Sequence, residues 1–265
     1  MFETSPPLVL LYGPFDPSGS GCLPADAITC STLGAHALST VTALHVQDTA
    51  NIEEIHAITA ELIDDQARCL LEDMHVQAIK AGPLYTTDAV RVLAQIAADY
   101  PSVPLLLQLH TPPQALQSDD FDPEDAISAT FELLLPQADL VVVDENVLTQ
   151  WVTDGVLPRR AASPAKTLMQ FGANWVLTTN TALRPGQRAH VLQGPEQELV
   201  NWPCTQPAAR ISNQNGPLGC ALAVELARGI GVRQATEAAL KHASGLTTRT
   251  FRPGMGAQIY NRSAP

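Results

Sequence analysis

The sequence predicts an α/β protein with a mostly parallel central sheet between helices, and three observations favour this class. Short apolar runs alternate along the chain with segments whose apolar residues recur at helical spacing. The apolar runs are continuous, which is typical of parallel strands buried on both faces. No repeat, low-complexity tract or linker interrupts the 265 residues, so we expect a single domain over residues 1–265.

The predicted strands are apolar or β-branched, and turn-forming or polar residues end them. The first strand covers residues 8–12, because Gly13 and Pro14 follow it directly. The further strands cover residues 38–47, 78–82, 103–109, 140–143 and 175–178. Residues 185–202 are predicted to form a small hairpin outside this alternation.

The predicted helices lie between these strands and carry apolar faces. The first begins at Pro24 and ends at Gly34. Later helices are expected at residues 59–74, 87–100, 123–135, 165–171 and 233–250. One more helix follows the turn at residues 215–220. Because helices separate most of the strands, the sequence predicts parallel β-α-β connections.

Composition excludes several classes of function. The net charge is −12, from 27 acidic and 15 basic residues, which argues against a surface for nucleic acid or an anionic membrane. Residues 1–7 lack the basic segment and apolar core of a signal peptide, and no apolar run reaches the length of a membrane span. We therefore expect a cytoplasmic protein. The five cysteines lack zinc-site spacing, so we expect free thiols and no metal cluster.

Two polar residues lie where the first two predicted strands end. Asp26 follows a loop rich in glycine and serine and sits in the first turn of a helix, where it either stabilises the helix dipole at the surface or binds a ligand. Gln47 ends the second strand. Its amide can donate and accept together, as recognition of a heteroaromatic edge requires, or it is an ordinary amide at a strand end.

The turn at residues 215–220 contains Gly216 and Gly219 and precedes a helix-forming run. Unpaired backbone N–H groups at a helix start can bind an anion. A cysteine at that position would have a lowered thiol pKa, which makes Cys220 a candidate for polar chemistry. The alternative is a buried cysteine beside an ordinary turn.

Several of these segments, taken in order, resemble the hydroxymethylpyrimidine and phosphomethylpyrimidine kinases of thiamin biosynthesis, which belong to the ribokinase superfamily. The resemblance covers nearly the whole chain. Its motifs are Asp16-Pro17-Ser18-Gly19, Ala25-Asp26, Leu33-Gly34-Ala35-His36, Val41-Thr42-Ala43-Leu44, Gln47-Asp48-Thr49, Lys80-Ala81-Gly82, Gly219-Cys220 and Gly254-Met255-Gly256. The resemblance implies a three-layer αβα ribokinase-like fold, an aminopyrimidine ligand, ATP with Mg²⁺ if the chain is active, and a homodimer.

The resemblance also implies roles for single residues. Asp26 and Gln47 match the residues that hold the polar edge of the pyrimidine. Cys220, next to Gly219, matches the cysteine near the oxygen that accepts the phosphoryl group. The remaining implied positions are Gly13 and Pro83 beside the ring, and Asn146, Thr179 and Gly216 on the nucleotide and phosphate side.

The chain departs from the family's pattern on the phosphate side. Pro217 and Leu218 replace a glycine and a threonine before the cysteine, and proline has no N–H to stabilise the transferring phosphoryl group. Thr179 replaces a lysine, Thr149 replaces a glutamate, and Gln108 replaces an aspartate. Phosphoryl transfer depends on such groups for positioning and charge stabilisation.

Two interpretations follow. The chain is either an ATP-dependent kinase of the thiamin pyrimidine or its monophosphate, or a protein that binds the pyrimidine without transferring phosphate. A dinucleotide-binding dehydrogenase is disfavoured, because Gly19 and Gly21 lack a third glycine in register and no acidic residue ends the strand at residues 38–47.

Overall fold

The structure is a computed structural model and describes residues 5–116, 122–158, 163–205, 210–213 and 215–263. Its centre is a nine-stranded sheet. The strands, in chain order, are β1 (Leu8–Phe15), β2 (His36–Gln47), β3 (Ile52–Ala57), β4 (Ala78–Ala81), β5 (Leu105–Gln108), β6 (Leu140–Asp144), β7 (Trp175–Arg184), β8 (Gln187–Gln193) and β9 (Leu199–Cys204). A separate ribbon pairs β10 (Thr250–Phe251) with β11 (Ile259–Tyr260).

The order across the large sheet is β3-β2-β1-β4-β5-β6-β7-β8-β9. Strands β2, β1, β4, β5, β6 and β7 pair in parallel, whereas β3, β8 and β9 are antiparallel to their neighbours. The carboxyl ends of the parallel strands therefore lie along one edge. Because β2 and β4 lie on opposite sides of β1, the order of strand addition reverses at β1, and such a reversal opens a crevice for ligands.

Helices cover both faces of the sheet, which confirms the predicted three-layer α/β fold. They are α1 (Cys22–Thr32), α2 (Ala60–Asp73), α3 (Thr87–Asp99), α4 (Pro123–Ala129), α5 (Glu145–Asp154), α6 (Pro164–Gln170), α7 (Gly216–Ala227) and α8 (Val232–Leu246). Val9 and Leu11 of β1 belong to the apolar cluster that includes α1, α7 and α8, whereas Leu10 and Tyr12 belong to the cluster that includes residues of α2 to α6. Side chains alternate between the two faces of a strand, and both faces of β1 are apolar because both are covered.

Helix α7 is the most buried helix near the site. All its residues from Gly216 to Val224 are buried, and it packs against α1 and α8. An α-helix that is apolar all round belongs in a protein interior. Its position is therefore fixed by packing.

The structure differs from the predicted elements in several places. Strands β8 and β9 extend the main sheet instead of forming a separate hairpin, since β8 pairs directly with β7. Strand β3 and helix α5 were not predicted at all. The helix predicted at residues 123–135 ends at Ala129 and continues as a π-helical turn, Thr130–Leu134.

Two boundary errors affect the predicted site. Strand β1 continues through Gly13 and Pro14 and does not end before them. Its register with β2 shifts between these two residues, and such an irregularity lets the strand include a proline, which has no N–H to donate. Helix α7 begins at Gly216, so Cys220 lies in the second turn and not at the helix start. Within the described ranges, no helix combines the length and apolar content that crossing a bilayer requires.

Candidate functional site

A cavity of about 240 Å³ lies at the carboxyl ends of β1, β4 and β5. It is lined by four residues that the sequence predicted beside a pyrimidine ring, namely Gly13, Asp26, Gln47 and Pro83. The other polar or ionisable side chains in its wall are Tyr12, Asp16, Ser20, Cys22, His45, Lys80, Tyr85, Gln108, His110, Thr111, Ser212 and Asn213. We call this space the Asp26 cavity. It joins residues from distant parts of the chain, although their roles in binding stay predictions.

Asp26 and Lys80 form a buried ion pair at the Asp26 cavity. Lys80 Nζ lies 2.5 Å from Asp26 Oδ2, and the two side chains are 3% and 6% exposed. Burial raises the pKa of Asp26, while the Lys80 ammonium opposes that rise. Burial acts to lower the pKa of Lys80, but the Asp26 charge outweighs it and the pKa of Lys80 is raised. The structure therefore rules out the alternative of Asp26 as an exposed residue that only stabilises the helix dipole.

Gln47 is held by a chain of hydrogen bonds. His45 Nδ1 lies 2.9 Å from Gln47 Oε1, and His45 Nε2 lies 3.2 Å from the Tyr85 hydroxyl. Burial lowers the pKa of His45, so the ring is neutral at pH 7. An Nδ1–H tautomer donates to Gln47 and accepts from Tyr85. Since His45 uses the amide oxygen of Gln47, the amide Nε2 remains as a donor toward the cavity.

The loop between β1 and α1 is closed around the carboxylate of Asp16. Both oxygens accept hydrogen bonds, from Ser18 N and Oγ at 2.8 and 2.7 Å and from Ser20 Oγ and Gly21 N at 2.8 Å each. A carboxylate that accepts several hydrogen bonds within one turn fixes the backbone of that turn. Asp16 therefore shapes the cavity wall, and Ser20 Oγ is also 3.1 Å from Ser212 Oγ across the site.

A second cavity of about 510 Å³ lies between the β7–β9 edge and α8. We call it the Trp202 cavity. Its lining includes Asn180, His190, Trp202, Asn215, Leu218 and Lys241. Asn215 and Leu218 belong to the start of α7, whereas Asn213, just before it, lines the Asp26 cavity. The start of α7 therefore lies between the two cavities.

Three polar side chains meet where β6 and β7 end. Thr179 Oγ1 donates to Asp144 Oδ2 at 2.9 Å, and Asn215 Nδ2 lies 3.3 Å from the same oxygen and 3.0 Å from Thr179 Oγ1. Asp144 also caps α5, because its Oδ1 accepts from the backbone N–H of Asn146 at 2.9 Å. Asn146 itself is exposed, and Thr179 is wholly buried with its hydroxyl turned to Asp144.

The first turn of α7 offers few free donors. The N–H of Gly216 donates to Asn213 O at 2.9 Å, and the N–H of Gly219 donates to Asn215 O at 3.1 Å. Pro217 has no N–H. A Cβ atom at Gly219 would overlap Oε1 of Gln108, so the end of that side chain lies over the turn.

The prediction that Cys220 has a lowered thiol pKa is wrong. Cys220 is fully buried, its Sγ lies 3.3 Å from Cys30 Sγ, and it also contacts Asp26 O at 3.2 Å. The contact with Cys30 and burial raise the pKa of Cys220 well above its ordinary value. The helix begins four residues earlier, so this thiol lacks the free N–H groups that would stabilise a thiolate. Neither Cys220 nor Gly219 lines the Asp26 cavity.

The sequence reasoning missed Lys80, His45 and Asp144. A signal for Lys80 was available, because a lysine inside the apolar strand at residues 78–82 has to be buried and therefore paired. His45 alternates with exposed neighbours along β2 and so points to the covered face. In the part of the chain that the structure describes, no group of three or more His, Cys, Asp or Glu side chains is arranged to hold a metal ion.

The chain is similar to known proteins over most of its length. The model of the phosphomethylpyrimidine kinase family matches residues 16–261. The hydroxymethylpyrimidine/phosphomethylpyrimidine kinase of Streptomyces coelicolor is 28% identical over 265 aligned positions, which cover 95% of this chain and 93% of that protein. The enzyme of the same description from Mycobacterium bovis is 31% identical over 185 positions, covering 68% of this chain and 66% of that one.

A solved structure is similar over almost the whole chain. Bacillus subtilis pyridoxal kinase in complex with ADP has a TM-score of 0.81 and 20% identity, and the match covers 98% of each chain. At this level of identity, the similarity concerns the fold.

Proposed function

This chain belongs to the phosphomethylpyrimidine kinase family, and we propose that it transfers a phosphoryl group from ATP to 4-amino-5-hydroxymethyl-2-methylpyrimidine or to its monophosphate. The fold of the chain is ribokinase-like. We propose that the whole chain acts as one domain, since all strands but the short β10–β11 ribbon belong to one sheet in the described ranges.

One observation carries this proposal: the start of α7 lies between two cavities. Phosphoryl transfer requires donor and acceptor to meet in line, with little covalent chemistry for the protein to do. A pyrimidine in the Asp26 cavity and a nucleotide in the Trp202 cavity would meet at this turn. Trp202 offers an aromatic face for a base, and Lys241 a cation for a phosphate.

The Asp26 cavity suits the polar edge of an aminopyrimidine. Among the described residues, Lys80 bonds only Oδ2 of Asp26, so Oδ1 is left to accept from an amino group. Gln47 Nε2 is left to donate to a ring nitrogen, because His45 engages the amide oxygen. One acceptor and one donor at fixed positions select a heteroaromatic ring that presents the complementary pair.

Asp144 is the residue that would hold Mg²⁺ in this proposal. Mg²⁺ in nucleotide sites usually binds one or two carboxylates together with substrate phosphates and water, so a single carboxylate beside the Trp202 cavity fits. Thr179 and Asn215 fix the orientation of that carboxylate. The ion would neutralise negative charge on the phosphates during transfer.

A second candidate is binding of the pyrimidine without phosphoryl transfer. The observation that favours it is the first turn of α7, where Pro217 lacks an N–H, and Gly216 and Gly219 donate within the chain. Thr179 also leaves the site without a cation at that position. Loss of one oxyanion donor costs about 10²–10³ in rate, so several losses together could abolish turnover.

Two measurements on the unmodified protein distinguish these candidates: calorimetric titration with the pyrimidine alcohol, and pyrimidine-dependent ADP formation with Mg²⁺. Binding together with turnover of about 1–10³ s⁻¹ supports the kinase. Binding with negligible turnover supports the second candidate, and then Pro217→Gly/Leu218→Thr should raise the rate by restoring a donor and a hydroxyl. No binding at millimolar ligand contradicts both. Arg91→Gln, at an exposed ion pair on α3, serves as the control variant.

We also propose that the chain forms a homodimer through the β1–β2 region. Phe15 lies beside Leu44 in the β1–β2 register, and both side chains are nearly half exposed. Contiguous exposed apolar side chains favour association. Light scattering at micromolar concentration tests this, with Phe15→Ser/Leu44→Ser expected to shift a dimer to a monomer. A monomeric unmodified protein would contradict it.

A further inference from the structure

A further cavity, of about 60 Å³, lies between the ends of β4 and β5, helices α4 and α5, and the π-helical turn after α4. We call it the Phe131 cavity. Most of its lining is apolar and includes Pro83, Leu107, Leu116, Ile127, Phe131 and Leu134. Its volume is several times the roughly 10–15 Å³ that one water requires, so it has room for a small molecule.

Two buried N–H donors in the wall of the Phe131 cavity lack acceptors. Trp151 Nε1 and Gln108 Nε2 have no hydrogen-bond partner among the described residues, and both side chains are 3% exposed. Such a donor is costly, because it has given up water without gaining an acceptor. An acceptor that enters the cavity would remove this cost.

Trp151 is held in place by aromatic packing. Its ring meets Phe131 edge to face, with ring centres 5.4 Å apart and an angle of 72° between the planes. Phe131 in turn packs against Phe171 at 5.2 Å. A buried ring in such a stack cannot turn to seek another partner. The indole N–H is therefore a donor at a fixed position in the cavity wall.

The electrostatics of the lining favour an uncharged ligand. Among the described lining residues, none is Asp, Glu, Lys or Arg. Burial and the nearby Lys80 charge lower the pKa of His110 to about 4, so this ring is neutral at pH 7. A charged ligand would be buried without a counter-charge. Apolar walls and unpaired donors instead suit a molecule with an apolar body and an acceptor oxygen.

We propose that the Phe131 cavity is a second small-molecule site, which binds a compact, uncharged, mainly apolar molecule whose oxygen accepts a hydrogen bond from Trp151 Nε1. This goes beyond the proposed function and does not rest on it. Pro83, Gln108 and His110 line both this cavity and the Asp26 cavity. An occupant of the Phe131 cavity therefore contacts side chains that also shape the Asp26 cavity.

A bound water that pairs with Trp151 is the competing interpretation. A buried water typically makes about three hydrogen bonds, which a mainly apolar lining supplies poorly. The two interpretations differ in what they predict for added probes. A ligand site responds saturably to a small carbonyl compound, whereas a site built for water does not.

The test uses acetone as the probe and isobutene, which has a similar shape but no acceptor, as its match. Proton–nitrogen correlation NMR follows the indole N–H resonances of the three tryptophans, and Trp151→Phe identifies that of Trp151. Acetone should move the Trp151 resonance downfield, with half-saturation at about 1–100 mM. Isobutene should not. Trp175, which does not line the cavity, is the internal control.

Two matched substitutions locate the bound probe. Ala126→Leu enlarges a lining residue of the Phe131 cavity alone, whereas Ser212→Leu does the same in the Asp26 cavity. We expect Ala126→Leu to weaken acetone binding about tenfold or more, and Ser212→Leu to weaken it less than about twofold. Trp151→Phe should weaken acetone about fivefold or more and isobutene less than about twofold, measured by saturation transfer to the methyl protons of each probe.

No saturable shift of the Trp151 resonance, or an equal shift with isobutene, would overturn the proposal. A loss of acetone binding in Ser212→Leu as large as in Ala126→Leu would place the probe in the Asp26 cavity and refute a separate site. If Ala126→Leu fails to fold, Trp151→Phe decides: a loss confined to acetone supports the contact, and an equal loss for both probes refutes it.

Discussion

Lys80 Nζ lies 2.5 Å from Asp26 Oδ2 in the wall of the Asp26 cavity, and neither side chain is more than 6% exposed. This pair joins α1 to β4. A buried pair contributes little net stability by itself, but removing one partner leaves an uncompensated buried charge. The pair therefore couples Asp26, which we propose binds the ligand, to the stability of the fold.

Lys80→Met is expected to lower the free energy of unfolding by about 3–5 kcal/mol, because Asp26 keeps a buried charge without a partner. Urea denaturation measures this. Asp26→Leu/Lys80→Met should recover most of the loss. The matched control is Arg91→Met, whose ion pair with Asp88 is exposed and worth less than about 1 kcal/mol. A double variant as unstable as Lys80→Met would contradict this account.

Gln47→Ala should weaken binding of the pyrimidine alcohol by about 1–3 kcal/mol, since a ring nitrogen loses its donor. His45→Phe should weaken binding less, because Gln47 remains but is no longer oriented. In a double-mutant cycle the two losses should be less than additive. Calorimetry supplies the affinities, with Gln95→Ala on α3 as the control amide. Strict additivity would show that His45 does not act through Gln47.

Gly219→Ala should destabilise the fold by about 1–3 kcal/mol, as overpacking does in a dense interior. The added methyl group overlaps Gln108 Oε1, which is held in a buried position. Gln108→Ala opens that space, so the double variant should recover most of the loss in a thermal or urea unfolding experiment. If Gln108→Ala gives no relief, the clash lies elsewhere.

Cys220 should resist alkylation in the folded protein, because burial and Cys30 raise its pKa and no solvent reaches it. Iodoacetamide followed by mass spectrometry should find Cys69 modified first, since it is exposed. Cys220 should react only after denaturation. Rapid modification of Cys220 in the native state would restore the interpretation of an activated thiol.

Stability should fall as the pH falls through the range from about 6.5 to 4, in part because of His110. Burial and the nearby Lys80 charge lower the pKa of His110 to about 4. In this window the unfolded state binds a proton at His110 that the folded state does not, so the stabilisation is full above the unfolded pKa and is lost on acidification. One such proton changes the unfolding free energy by up to about 1.4 kcal/mol per pH unit. His110→Gln should flatten the pH profile relative to the unmodified protein, and parallel profiles would contradict this.

The pyrimidine side of the site was predictable because it lies at the ends of strands that the hydrophobic pattern indicates. Asp26 and Gln47 follow strands β1 and β2 in the chain, and parallel strands bring their carboxyl ends together. The pattern cannot specify what each side chain contacts across the fold. Lys80 pairs with the Asp26 carboxylate from 54 residues away along the chain. His45 engages the Gln47 amide oxygen from only two residues away, but the apolar pattern does not show that these side chains meet.

The observed start of α7 differs from the prediction because Gly219 favours a turn, whereas Pro217, two residues earlier, favours the first turn of a helix. Proline is favoured in the first helical turn, so Pro217 indicated a helix start near Gly216. The predicted turn extends to residue 220, whereas α7 already begins at Gly216, and this difference decides whether the Cys220 thiol has free N–H groups beside it. Strands β8 and β9 were predicted as a separate hairpin because sequence alone does not indicate whether a hairpin joins the edge of a sheet.

The wall of the Asp26 cavity joins parts of the chain that are far apart in sequence: Ser20 contacts Ser212 and Arg262, which are 192 and 242 residues later. Contacts of such separation form last, because a ribosome delivers about 5–20 residues per second and early segments begin to fold before late ones exist. Strands β1 to β6 can pair while the chain is still being made, but the wall cannot close until the last described residues have emerged. We therefore expect a ligand that contacts this part of the wall to bind only after residue 262 has been synthesised.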